Sequence, residues 1–210
     1  MKRIQTAFTG IFCLAVFLFA CQKEEIVSPA SRTPSLNSNE KSGPVWRDYK
    51  DTASTSYFIV PDFANGASAE TGFLPAWFPG EGSGNATHMG KSHNFFNQYA
   101  TIGANGLTSV AAPVTMFYMT QLAALGITGV PADVNSITCD DAGNSVWIRA
   151  NQPTVTTVIS PTKTILSSGG DIVGGTGKFA NATGSVIVHG YFNPQDLNDA
   201  AYGSRGRIRY

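Results

Sequence analysis

Val173-Gly174-Gly175-Thr176-Gly177-Lys178-Phe179-Ala180-Asn181-Ala182-Thr183-Gly184-Ser185-Val186-Ile187-Val188-His189-Gly190-Tyr191-Phe192 carries the strongest structural signal in the chain. Its second half alternates, with Val186, Val188 and Gly190 set against Ile187, His189 and Tyr191, which is the period of a strand with one buried face. Its first half concentrates glycine where the chain must turn before that strand begins. Glycine permits positive φ and a close approach of backbones at such a corner. The segment 175–180 also fits the dinucleotide fingerprint G-x-G-x-x-A. That motif needs a helix N-terminus behind it to hold the pyrophosphate, and here Val186-Ile187-Val188 follows instead.

Outward from this stretch the same reading holds. Charge is sparse, and Gly, Thr, Ser, Val and Phe are abundant, which favours strands joined by tight turns. Strands are expected at 54–60, 145–150 and 154–159 as well as 185–192. Asp140-Asp141-Ala142-Gly143-Asn144 reads as a turn. One segment departs from the pattern: Pro113 opens and Gly126 closes a short helix over about 114–125, through Val114, Phe117, Gln121 and Leu125. No repeat of 20–50 residues is present, and Asn-Ala-Thr, at Asn85 and Asn181, reads as turn chemistry.

The stretch 173–184 resembles the glycine-rich hairpin of the allene oxide cyclase and dirigent β-barrels. Gly84-Asn85-Ala86-Thr87-His88-Met89-Gly90-Lys91 is similar to a segment of bacterial proteins with the same calycin-like barrel. The resemblance implies a mainly β fold, a single antiparallel barrel of about eight strands, with Phe179 plugging one end. The plant enzymes of that family keep acidic and polar residues inside the barrel to handle oxylipins or phenoxy radicals. None of their functional positions is matched here, so no catalytic residue is carried over.

The first residues carry an address. Met1-Lys2-Arg3 is a basic start, and 11–20 is an apolar run too short to span a bilayer permanently. Leu18-Phe19-Ala20-Cys21 resembles the lipobox of bacterial lipoproteins, in which the cysteine takes diacylglycerol and becomes the new N-terminus; Phe19 is bulkier than usual there. An ordinary signal peptide with a chance cysteine is the alternative. Two or three acyl chains hold firmly where one is marginal, since each buried methylene contributes about 0.8 kcal/mol. Gln22, Lys23, Glu24 and Glu25 resemble the surface-export signal of Bacteroidota lipoproteins; the alternative is a charged linker facing the periplasm.

Residues 1–20 therefore read as a signal peptide, 21–43 as a lipidated N-terminus and disordered tether, and 44–210 as one β-barrel domain. With Cys13 removed and Cys21 acylated, Cys139 has no disulfide partner. The chain has 14 basic and 14 acidic residues, and without Lys2 and Arg3 acids exceed bases by two. No basic stripe marks a nucleic-acid surface.

Other motifs are weaker. Residues 84–92 mimic a phosphate-binding loop with the wrong spacing between Gly84 and Gly90. His88, His93 and His189 are scattered; on a strand His88 and His93 would face opposite sides, so no metal site and no cofactor is expected. Asp51-Thr52-Ala53 resembles the Bacteroidota O-glycosylation site, with Thr52 the acceptor. The expected partners are the membrane, through Cys21, and a small apolar or glycan ligand held in or beside the barrel. A barrel isomerase or cyclase and a structural or adhesive surface protein are the alternatives, and the state of the barrel interior separates them.

Overall fold

A computed structural model describes residues 44–103 and 106–210. Cys21, the residues 22–25 and the tether lie outside the described residues. The strands, in order, are β1 (Trp46–Tyr57), β2 (Val60–Pro61), β3 (Ala76–Trp77), β4 (Gly80–Ala86), β5 (Gly90–Phe96), β6 (Gln98–Gly103) and β7 (Gly106–Ala111). After the helix α1 (Thr115–Ala124) come β8 (Ser136–Cys139), β9 (Ser145–Ala150), β10 (Val155–Ser160), β11 (Lys163–Thr176), β12 (Thr183–Asn193) and β13 (Asp196–Arg209).

The long strands form one antiparallel sheet in the order β11-β12-β13-β1-β4-β5-β8-β9. Pairing of β9 back onto β11, from Gly170↔Ala150 to Thr176↔Ser145, closes it into an eight-stranded barrel. The expected fold class is therefore the one observed, a calycin-like barrel with a single α-helix among the described residues. Closure removes the exposed edges that an open sheet would leave. The hairpin strand β10 shares the β9 side of β11 but pairs with its first half, Val155↔Ser167 to Val158↔Thr164. It projects beyond the barrel. A second, four-stranded sheet, β2-β3-β6-β7, stands near it, joined by a bridge between Ser109 and Thr154.

The glycine-rich stretch forms the corner. β11 bulges between Ile172 and Gly174, and a three-residue 3-10 turn, Gly177–Phe179, follows it before β12. A 3-10 turn running into a strand offers no helix N-terminus, so the fingerprint reading fails on geometry. Phe179 is fully buried and packs edge-on against Tyr210, with ring centroids 4.7 Å apart, closing this end of the barrel. This is the plugged end. The strands' opposite ends, near Tyr57 and Phe192, form the mouth.

The helix begins after Pro113 and ends in a Schellman motif: the Gly126 N–H bonds to the Ala123 carbonyl and the Ile127 N–H to the Leu122 carbonyl, with Gly126 at φ 74°. Tyr118 and Leu122 pack with Phe95, Ile137 and Cys139, which are the outward residues of β5 and β8. This cover explains why all four residues of β8 are buried. A strand covered on both faces loses the polar alternation that marks it in sequence.

Candidate functional site

Inside the barrel the strand alternation directs Tyr49, Asp51, Ala53, Thr55 and Tyr57 of β1 inward, and each is buried. Asp51 Oδ2 accepts hydrogen bonds from Asn94 Nδ2 and Thr138 Oγ1, both at 2.7 Å, and all three residues are fully buried. Ser204 lies directly opposite Asp51 on β13. Among the described residues, Asp51 Oδ1, Asn94 Oδ1, Ser92 Oγ, Ser204 Oγ and the Tyr49 hydroxyl have no hydrogen-bond partner. Tyr49 comes beside Thr138 without a well-formed hydrogen bond.

Burial pushes the Asp51 carboxyl up from 3.8 to about 6, against the opposing pull of the hydrogen bonds from Thr138 and Asn94. Burial, and then the charge of Asp51, raises Tyr49 and Tyr202 well above the usual phenol range, so both remain protonated. Because the folded carboxyl binds its proton more tightly than the unfolded one, the stabilisation is complete below pH 3.8. It declines as pH rises through about 6 and stays lost above that. Asp51→Asn keeps an oxygen that can accept from Asn94 and Thr138 but carries no charge. At neutral pH it is expected to be more stable than wild type by on the order of 1–3 kcal/mol, the difference shrinking toward about pH 4. Denaturant unfolding at the two pH values checks this, and a variant less stable at neutral pH would refute it.

Above this polar layer aromatic rings fill the barrel. Phe96 stacks on Tyr202, centroids 5.2 Å apart, and meets Tyr57 at 5.0 Å; Tyr57 in turn meets Phe192 at 5.7 Å. Ser136 Oγ and the Tyr202 hydroxyl share a hydrogen bond of 2.9 Å. The interior around Asp51 is thus packed with side chains.

Over the mouth lies an apolar cleft of about 550 Å³, walled by Ile59, Leu74, Phe78, Leu107, Val158 and Phe192. It runs into a recess of about 30 Å³ between Tyr57, Leu166 and Ala100, sharing Phe78, Leu107, Thr156 and Phe192 with the cleft. Six separate parts of the sequence meet here: the segment after β1, the loop before β3, Phe78 between β3 and β4, the β6–β7 hairpin, the β10–β11 hairpin and the β12–β13 hairpin. Val158 is 75% exposed, and Ile59 and Leu107 are close to half exposed. A second hollow, an open trough of about 720 Å³, crosses the outside of β1, β4, β12 and β13. Thr52 lies in it, exposed and opposite Asn85 and Gly203, with Asp51 beside it in sequence turned inward.

The histidines fall on separate elements. His88 occupies the turn between β4 and β5 at φ 67°, not a strand as the spacing argument with His93 assumed. His93 meets Asp141 at 2.7 Å on the surface, and His189 lines the outer trough. Cys139 is buried, and burial pushes its thiol up to about 12, which leaves it a poor nucleophile. The first strand, expected from Ser54, begins at Trp46, and Tyr49 and Asp51 of the interior cluster fall in the part left out. The alternation that begins at Tyr49 was the available signal. Compared with protein-family models, curated proteins and solved structures, the chain matches none of them.

Proposed function

We propose that the protein is an outer-membrane lipoprotein, acylated on Cys21 and displayed at the cell surface through Gln22, Lys23, Glu24 and Glu25, whose barrel domain binds a small apolar ligand at its mouth. The observation that carries the binding reading is the mouth cleft, where side chains that would ordinarily be buried stand exposed around one concavity. Its volume lies within the ~300–1,000 Å³ usual for small-molecule sites, and its walls are apolar as such sites require. The side chains lining it do not include Asp51, Asn94 or Thr138. The ionisable side chain in reach is Tyr57, whose phenol burial holds well above its usual range, and among the described residues the lining carries no carboxylate or histidine, which favours binding over isomerase or cyclase chemistry.

The neutral apolar fluorophore N-phenyl-1-naphthylamine is expected to bind the folded protein with enhanced emission. Leu107→Asp places a charge in the cleft at a half-exposed position, so it should leave the melting temperature nearly unchanged. It should weaken the probe at least about tenfold, the equivalent of roughly 1.4 kcal/mol. Equal affinity of the variant and wild type would sink the mouth as the binding site. A glycan is favoured only in the outer trough, whose lining combines Tyr191 with the hydroxyls of Thr52, Ser54 and Ser83 and the amide of Asn85.

The anchor has its own test. Labelled palmitate should be incorporated into the wild-type protein in cells and be absent from Cys21→Ala. Undiminished label in the variant would remove Cys21 as the acylated residue.

A further inference from the structure

At the plugged end the outer surface of β1 and β13 gathers cations and apolar side chains on one face. Arg205, Arg207 and Arg209 occupy alternate positions of β13, so all three project outward, and each is exposed. Their direct partners on β1 are Lys50, Asp48 and Trp46, all exposed as well. Ile187 on β12 lies opposite Arg205 and is 63% exposed. The guanidinium groups of Arg207 and Arg209 lie 5.7 Å and 5.3 Å from the centre of the Trp46 ring. Among the described residues none of these cations has a carboxylate within ion-pair distance, Asp48 included. Trp46, Ser185, Ile187, Arg205 and Arg207 enclose an open trough of about 490 Å³.

We propose that this face docks on an anionic lipid bilayer, the guanidinium groups meeting lipid phosphates and Trp46 and Ile187 entering the headgroup region. Two features select this occupant. Unpaired arginines are complementary to an anionic surface, and an exposed indole set among them suits the membrane–water boundary, where tryptophan is enriched. The chain also joins the barrel at this face: residue 44 precedes Val45, itself 54% exposed, and Trp46. The segment from Cys21 to residue 43 could stretch to on the order of 80 Å, so an anchor alone would let the barrel wander, and docking draws it down. Since β1 runs from Trp46 here to Tyr57 at the mouth, docking would hold the cleft roughly 35 Å away along the strand, clear of the bilayer.

The proposal rests on the lipid-anchor reading for its membrane, and the experiment separates the two. The full-length acylated chain is reconstituted into phosphatidylcholine vesicles containing brominated lipid, with and without phosphatidylglycerol. All forms should float with both kinds of vesicle. In the anionic vesicles, bromine should quench wild-type tryptophan emission more than that of Trp46→Phe. This excess should fall by at least half in the Arg205→Gln/Arg207→Gln/Arg209→Gln protein and in vesicles lacking phosphatidylglycerol. An excess that is absent, indifferent to phosphatidylglycerol, or unchanged in the triple variant would overturn the docking face. A shift of Trp46 emission by polygalacturonate without quenching by anionic vesicles would overturn it in favour of a soluble polyanion. Failure to float on phosphatidylcholine, with quenching by anionic vesicles retained, would remove the anchor and leave the face standing.

Discussion

Phe179→Ala is expected to destabilise the barrel by about 3–5 kcal/mol, the usual cost of removing a fully buried aromatic ring. The ring has no exposed surface, and it packs in the core that also holds Tyr49, Ile208 and Ala182. Its backbone is fixed by the preceding turn, where the Lys178 N–H donates to Asn144 Oδ1 at 3.1 Å, and by the Ala182 N–H bonding to the Phe179 carbonyl at 2.9 Å. The site therefore has little freedom to collapse around the missing ring. For a domain of this size the loss corresponds to a melting temperature lower by roughly 6–20 °C. A loss below about 1 kcal/mol in denaturant unfolding would mean that Phe179 does not close the barrel.

Gly175→Val and Gly177→Val come next in size, for two different reasons. A Cβ on Gly175 would lie 1.9 Å from the Ser145 carbonyl oxygen and 2.9 Å from that of Phe179. Both are backbone atoms, so β9 or the turn must move. Gly177 sits at φ 59°, which β-branched residues avoid, and its Cβ would meet Asn144 Oδ1 at 2.2 Å, displacing the acceptor of the Lys178 N–H. Each substitution is expected to cost at least about 1–3 kcal/mol, from overpacking in one case and backbone strain in the other. Differential scanning calorimetry of the two variants reads the loss. Variants that melt with wild type, together with a nucleotide that raises the melting temperature of wild type alone, would reopen the nucleotide reading of this loop.

The parts of the fold legible in sequence were those with a one-sided environment. β12 alternates, and the helix carries its own start at Pro113 and stop at Gly126, so both are marked in the sequence. β8 was missed because barrel and helix bury both its faces, and four residues are too few to show a period. β1 was cut short at Ser54 because Asp51, a charged residue, takes an inward position and breaks the apolar half of the pattern. The partners that Asp51 Oδ2 finds, Asn94 and Thr138, are tertiary ones more than forty residues away in sequence.

The binding site was the least legible part. Its walls come from segments that follow β1 and flank β3 and from three hairpins, and each contributes a few residues that look unremarkable in place. The exposed Val155, Val158 and Ile159 of β10 read simply as a strand until the barrel's geometry leaves their hairpin projecting. The basic face has a similar origin. The chain is close to neutral, yet alternation along β13 and its register with β1 put Arg205, Arg207, Arg209 and Lys50 on one side.

Amide chemical shifts of the protein titrated with N-phenyl-1-naphthylamine test the central claim, that the barrel mouth is the ligand site. The expected changes cluster at Leu107, Thr156, Val158 and Phe192, while Phe179, Tyr210 and the residues of the outer trough stay in place. Shifts confined to Thr52, His189 and Tyr191, or none at all in a protein that remains folded, would contradict it.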